Sequence, residues 1–110
     1  MEKISLTALA HQELEAARNV SSGRASKTVY GGQAHSLRQT VIALVGGEEL
    51  HEHENPGEAT VLVLQGHVEM SAGDVVISGV TGDLLVVPDE RHALAAVEDS
   101  VVVLTVAKRL

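Results

Sequence analysis

His51-Glu52-His53 and, about forty residues downstream, Pro88-Asp89-Glu90-Arg91-His92 carry the residue types that bind transition metals. Side chains alternate between the two faces of a strand, so His51 and His53 are expected on one face and Glu52 and Glu54 on the other. A third imidazole at His92 would complete a cluster. Neutral imidazole is the commonest protein ligand for first-row transition metals, and three such donors leave coordination positions open. An open position is what a catalytic metal needs to bind water, dioxygen or a chelating substrate. The expected cofactor is a divalent transition metal (Fe, Mn, Ni, Cu or Zn), and affinity order alone does not choose among these.

The remaining titratable residues are read against that cluster. Glu49 shares strand parity with the histidines and is a weaker substitute ligand. His11 lies in a helical stretch and His67 directly follows a turn glycine, so both are expected in solvent. His35 follows Gly31-Gly32 and stands where a barrel rim would be. Arg38 and Arg91 read first as surface charges of an acidic chain, and second as anchors for an anionic substrate. No glycine-rich loop opens a helix, so phosphate-cradling chemistry is not expected.

A scaffold must bring the two segments together. At 110 residues the chain makes one domain. Tyr30 is its single aromatic, so the core is built from Val, Leu, Ile and Ala. Seventeen valines favour strands, because β-branched side chains pack well on a pleated surface. The net charge of −7 repels phosphate backbones, and the lack of aromatics removes a base-stacking platform, so no nucleic acid is expected as a partner. The absence of cysteine excludes disulfides, thiolate metal sites and a cysteine nucleophile. No run has the length of a signal peptide or membrane span, so a cytoplasmic protein with no membrane partner is expected.

Leu6, Leu9, Ala10, Leu14 and Ala17 recur at helical spacing between Ser5 and Arg18, with Ser5 or Thr7 as N-cap. This predicts a short amphipathic helix within an N-terminal arm, 1–22, that packs on a sheet or on a partner subunit. Residues 23–110 are punctuated by Gly31-Gly32, Gly46-Gly47, Asn55-Pro56-Gly57, Gly66, Gly73-Asp74, Gly79, Gly82-Asp83 and Glu98-Asp99. Between these turns, Leu37 to Val45, Thr60 to Leu64, Asp74 to Ile77, Asp83 to Val87 and Ser100 to Ala107 read as antiparallel strands of a sandwich or closed barrel. Val61-Leu62-Val63-Leu64 and Val101-Val102-Val103-Leu104 are apolar on both faces and need cover on two sides. That requirement leads to an expected homodimer.

The order His-x-His, Pro-Gly turn, Glu, apolar strand ending in Gly66, hairpin, then Gly82-Asp83-Leu84-Leu85-Val86-Val87-Pro88 and His92 resembles the two motifs of the cupin superfamily. The resemblance covers roughly Leu37 to Val106. It implies an all-β fold, a small antiparallel β-barrel or jelly roll, here with a short N-terminal α-helix. In that family the first motif supplies two His and a Glu and the second a third His, which carries over to His51, His53, Glu58 and His92 as metal ligands. Glu58 follows the second His at the family's spacing. Counting back from Gly66 instead places the glutamate position on Ala59, and a one-residue shift turns a side chain to the other face. Two further departures are a glycine standing one residue closer to His51 and Glu90 at a place where Gly is common.

Two functions fit these residues. One is a metal-dependent enzyme acting on a small molecule, with Glu58 as ligand or base. The other is a non-catalytic barrel that binds or senses a metabolite or metal; a metal-free interaction protein is a weaker third reading. Either leading function has a small-molecule ligand or substrate as its partner.

Overall fold

The computed structural model describes residues 1–53 and 57–108, apart from the side chains of 52 and 53. Helix α1 (Leu6–Arg18) begins where the Ser5 hydroxyl accepts the Ala8 N–H at 3.2 Å. That bond satisfies one of the donors that a helix start leaves orphaned. The helix ends at Asn19, whose side-chain amide donates to the Glu15 carbonyl at 2.8 Å.

Nine strands follow among the described residues: β1 (Arg24–Tyr30), β2 (Leu37–Leu44), β3 (Glu49–His53), β4 (Gly57–Gln65), β5 (His67–Ala72), β6 (Val75–Val80), β7 (Leu84–Val86), β8 (His92–Ala96) and β9 (Ser100–Lys108). They form a five-stranded sheet in the order β1-β2-β9-β4-β7 and a four-stranded sheet in the order β3-β8-β5-β6, with the described pairings antiparallel. This is the expected jelly-roll sandwich with one added helix.

Alternation along the five-stranded sheet sorts its apolar residues into two cores. Ile42, Leu44, Ala59, Val61, Val63, Val102 and Val106 face the four-stranded sheet, where they meet Val68, Met70, Leu94 and Ala96. Val41, Ala43, Val101 and Val103 face the other way, onto Leu9, Ala10, Leu14 and Ala17 of α1, with Leu62 and Leu64 alongside. The two-faced strands are therefore covered by the chain's own helix, and that face needs no neighbouring subunit. Leu9 and Leu14 each stabilise this layer by roughly 1.5–3 kcal/mol through burial.

The end of α1 is fastened to the sheet by charge. The Arg18 guanidinium meets the Asp99 carboxylate at 2.9 Å, and the same carboxylate accepts the Gly46 N–H at 2.9 Å. These two partners, the Gly46 N–H foremost, hold Asp99 below the usual carboxylate range. Among the described residues, no helix is long and apolar enough to cross a membrane.

Candidate functional site

Strand β8 alternates between buried and half-buried positions, and His92 is its first buried residue, sharing the inner face with Leu94 and Ala96. At 5% exposure His92 is the buried histidine of the described structure. Its Nδ1 lies 2.9 Å from the Glu90 carbonyl, an acceptor, so Nδ1 carries the proton. In neutral imidazole that arrangement puts the lone pair on Nε2, as it is in metal-binding histidines oriented by a backbone carbonyl. His92 and eight apolar side chains, among them Leu50, Val61, Met70 and Leu104, line an inner cavity of about 20 Å³. That volume accommodates about one water molecule. Among the described residues, His92 supplies the polar side chain of this lumen.

Strand β3 departs from simple alternation. Leu50 packs against the inner core and pairs with Leu94, whereas His53 pairs with His92. Two residues separate Leu50 from His53 on β3, while Ala93 alone separates their partners on β8, so β3 carries the extra residue of a bulge. The bulge breaks the expected shared face. His51 stands outside the lumen with its side chain 79% exposed and its Nδ1 3.1 Å from Glu49 Oε1. His53 is placed by its backbone directly opposite His92. Its side chain, with that of Glu52, lies outside the described residues, as do Glu54, Asn55 and Pro56.

Glu58 is exposed, between the buried Gly57 and Ala59, because β4 alternates in and out from its first residue. The inward position is held by Ala59, a member of the inner core. Glu58, carried over as a fourth ligand, thus stands on the outward face of β4, away from the inner core. Glu49 faces outward with His51. Among the described residues, no group of three or more His, Asp or Glu stands close enough together to hold a metal ion.

The remaining candidates are dispersed. His11 is exposed on α1. His35 stacks edge-on against Tyr30 with ring centroids 5.5 Å apart, and His67 Nε2 lies 3.3 Å from Ser78 Oγ. Arg91 is exposed and Arg38 half-buried. Sequence reasoning missed the part of Leu50 in the lumen wall and that of the Glu90 carbonyl in orienting His92. The run of Leu50 at bulge spacing from His53 gave no local signal for either. It also missed a groove of about 290 Å³ between the edges of β6 and β7, lined by Val75, Ile77, Val86, Pro88 and Glu90, with Ala72 and Met70 also in its wall. Met70 is shared between this groove and the His92 cavity.

A sheet pair of this topology has counterparts among solved structures. An RmlC-like cupin protein from Desulfovibrio desulfuricans superposes with a TM-score of 0.75 at 29% identity, over 97% of this chain and 96% of that one. A conserved protein of unknown function from Streptococcus pyogenes superposes with a TM-score of 0.74 at 32% identity, over 83% of this chain and 79% of that one. The chain belongs to the cupin superfamily. The fold alone extends to a salicylate 1,2-dioxygenase from Pseudoaminobacter salicylatoxidans, with a TM-score of 0.76 at 18% identity; 91% of this cupin matches 32% of that chain. No protein-family model and no curated protein matches the sequence.

Metals are frequent guests of cupin barrels, and the residues of this cupin meet that expectation in part. His92 has the burial, the orientation and the committed Nδ1–H of a ligand. His51 and Glu58 face away from the lumen and do not fit the donor set.

Proposed function

We propose that this cupin binds a divalent transition metal at the His92 end of its barrel, with His92 and His53 as the protein donors, and presents it to a small molecule. The observation that carries this reading is His92 itself: a buried imidazole, its Nδ1 proton given to the Glu90 carbonyl, opening onto an otherwise apolar lumen. His53 is its direct cross-strand partner in the register, and directly opposed residues have Cβ atoms within about 4.5–5.5 Å. His92 and His53 would hold the ion, and the chemistry it would supply is Lewis-acid polarisation of a small molecule. The protein's own part is to hold Nε2 of His92 in place and to exclude bulk water through the aliphatic wall. Imidazole donors suit Fe, Mn, Ni, Cu and Zn.

The test is metal content of chelator-free protein by plasma mass spectrometry, in the native sequence and in His92→Ala and His51→Ala. Near-stoichiometric metal is expected in the native chain and in His51→Ala, and its loss in His92→Ala. Absence of metal from the native chain after incubation with each candidate ion would sink the reading, as would metal that survives His92→Ala.

A second reading, a barrel that holds its ligand without turnover, is favoured by the lumen. Apart from His92, the described residues that line the cavity are aliphatic or thioether side chains, a wall suited to holding an apolar ligand. Thermal stabilisation by small molecules, with no product formed, is the result expected from such a barrel.

A further inference from the structure

We infer that the open side of the sandwich between β1 and β3 is a binding site for a small aliphatic monocarboxylate, with Arg24 as its anchor. The metal reading plays no part in this. Ala25 and Val29 of β1 pack with the α1 layer, so alternation turns Arg24 and Ser26 to the opposite face. Their register partners there, Leu44 and Ile42, belong to the inner core. Strand β1 ends the five-stranded sheet and β3 ends the four-stranded sheet, and Arg24 reaches from one to the other: its Nη1 donates to the Glu49 carbonyl at 3.1 Å. Beside this link lies a pocket of about 250 Å³ walled by Ser22, Arg24, Ser26, Ile42 and Leu50.

Charge and shape together choose the ligand. Arg24 is half-buried, and among the described residues no carboxylate stands within ion-pair distance of it, although the chain has 15 acidic side chains against 8 basic ones. The bond to Glu49 uses one N–H of the guanidinium and fixes its position, which leaves the other donors for a planar anion with two oxygens. Ser26 adds a hydroxyl two residues along the same face. The surrounding charges are acidic. Glu49 is turned to His51 at 3.1 Å, and the Glu48 side chain lies over Gly23, next to Arg24 in sequence. With the net charge of −7, these carboxylates tell against a dianion and favour a ligand with a single negative charge. Ile42 and Leu50 supply the apolar wall, and both also line the His92 cavity, so the alkyl tail lies against the partition between this pocket and the barrel interior. A pocket of about 250 Å³ has the volume of about eight water molecules, room for a carboxylate of about eight non-hydrogen atoms.

The experiment is a titration of hexanoate into isotope-labelled, metal-stripped protein, followed by amide chemical shifts, with hexylamine and inorganic phosphate as comparison probes. Saturable binding is expected, with shifts gathered at Arg24, Ser26, Ile42 and Leu50. It is expected to be at least about tenfold weaker in Arg24→Gln, and tighter in Glu48→Gln, which removes the adjacent negative charge. Because Arg24 also ties β1 to β3, Ser26→Asp gives a second test. It leaves the bond to Glu49 in place, sets a carboxylate beside the guanidinium, and is expected to abolish binding with circular dichroism unchanged. No saturation at millimolar hexanoate would overturn the proposal, as would equal binding by Arg24→Gln or Ser26→Asp. Hexylamine or phosphate binding as well as hexanoate would overturn the assigned ligand, leaving an apolar cleft or a general anion patch. Hexanoate binding unchanged in His92→Ala is expected, and its loss there would place the ligand in the barrel interior and overturn this site.

Discussion

Ala59 occupies the inward position of β4, 8% exposed and in the same core as Val87 and Leu94. It lies two residues along one face from Val61, which lines the His92 cavity. Ala59→Glu would return a carboxylate to the position that the cupin pattern, counted back from Gly66, reserves for one. Without metal that group is a charge in an apolar core, and burial of this degree raises a carboxyl pKa by about 3 units, or about 4 kcal/mol of stability at neutral pH. A domain of this size has about 5–15 kcal/mol in all, so the variant is expected to fold with a melting temperature lowered by about 20 °C. The sign with pH follows from the raised value. The unfolded carboxyl ionises first, near pH 4.3, so the penalty is absent below that pH, grows as pH rises through the raised folded value, and is constant above it. A divalent metal bound by the native state at 100 times its Kd adds about 2.7 kcal/mol, which restores more than half of the loss. Calorimetric melting with and without Mn, Fe, Ni, Cu or Zn measures both effects, with Ala59→Glu/His92→Ala as the control. If metal raises the melting temperature equally in the single and double variants, or in neither, the carboxylate and His92 do not share an ion and the reasoning fails.

Two further predictions concern the layer that α1 adds. Leu14→Ala, at a position 4% exposed between helix and sheet, is expected to lose about 2–5 kcal/mol in urea unfolding; a loss below about 1 kcal/mol would mean that α1 is not the cover of that face. Asp99→Ala removes the acceptor of both Gly46 N–H and Arg18, whose hold keeps the Asp99 pKa low. Because the folded value lies below the unfolded one near 3.8, the contribution is present above that pH and disappears as pH falls through the lowered folded value. With both partners half-exposed the difference is expected to be about 1 kcal/mol at pH 7 and smaller in high salt, and an undiminished difference at pH 2 would refute the assignment.

The parts of this fold that were legible in the sequence are those whose signal is local. Ser5 and the spacing of Leu6 to Ala17 specify α1 by themselves, since a cap and a 3.6-residue stripe need no distant partner. Strands β2, β4, β7 and β9 appear within a few residues of their predicted bounds, because buried valine runs end at turn glycines and prolines. Strand β1 was not foreseen: Arg24, Ser26, Lys27 and Thr28 make it a mostly solvated edge, with Ala25 and Val29 as its weak apolar signal. The site was legible at His92 and lost at β3. Nothing in Leu50-His51-Glu52-His53 announces a bulge, and one extra residue turns His51 outward while leaving His53 opposite His92. Likewise Glu58 and Ala59 compete for one inward position, and the strand phase of β4, set by its pairing with β9, decides for Ala59.

Helix α1 and strand β9 are neighbours in the folded molecule and lie at opposite ends of the order in which the ribosome makes them. Leu14 leaves the exit tunnel nearly ninety residues ahead of Val101 and Val103, the side chains that finally cover it. At ribosomal elongation rates of about 5–20 residues per second that interval is roughly 4–18 s, long compared with the microseconds in which the helix itself forms. Val41 and Ala43 of β2 follow Leu14 by about thirty residues, so the helix meets part of its sheet early and has its layer completed only when β9 arrives. A circular permutant that starts at Ser100, with the two native ends joined by a linker, would make β9 immediately before α1 and so reverse that order. Its yield from cell-free synthesis would report how much of the burden of making this barrel lies in waiting for its last strand.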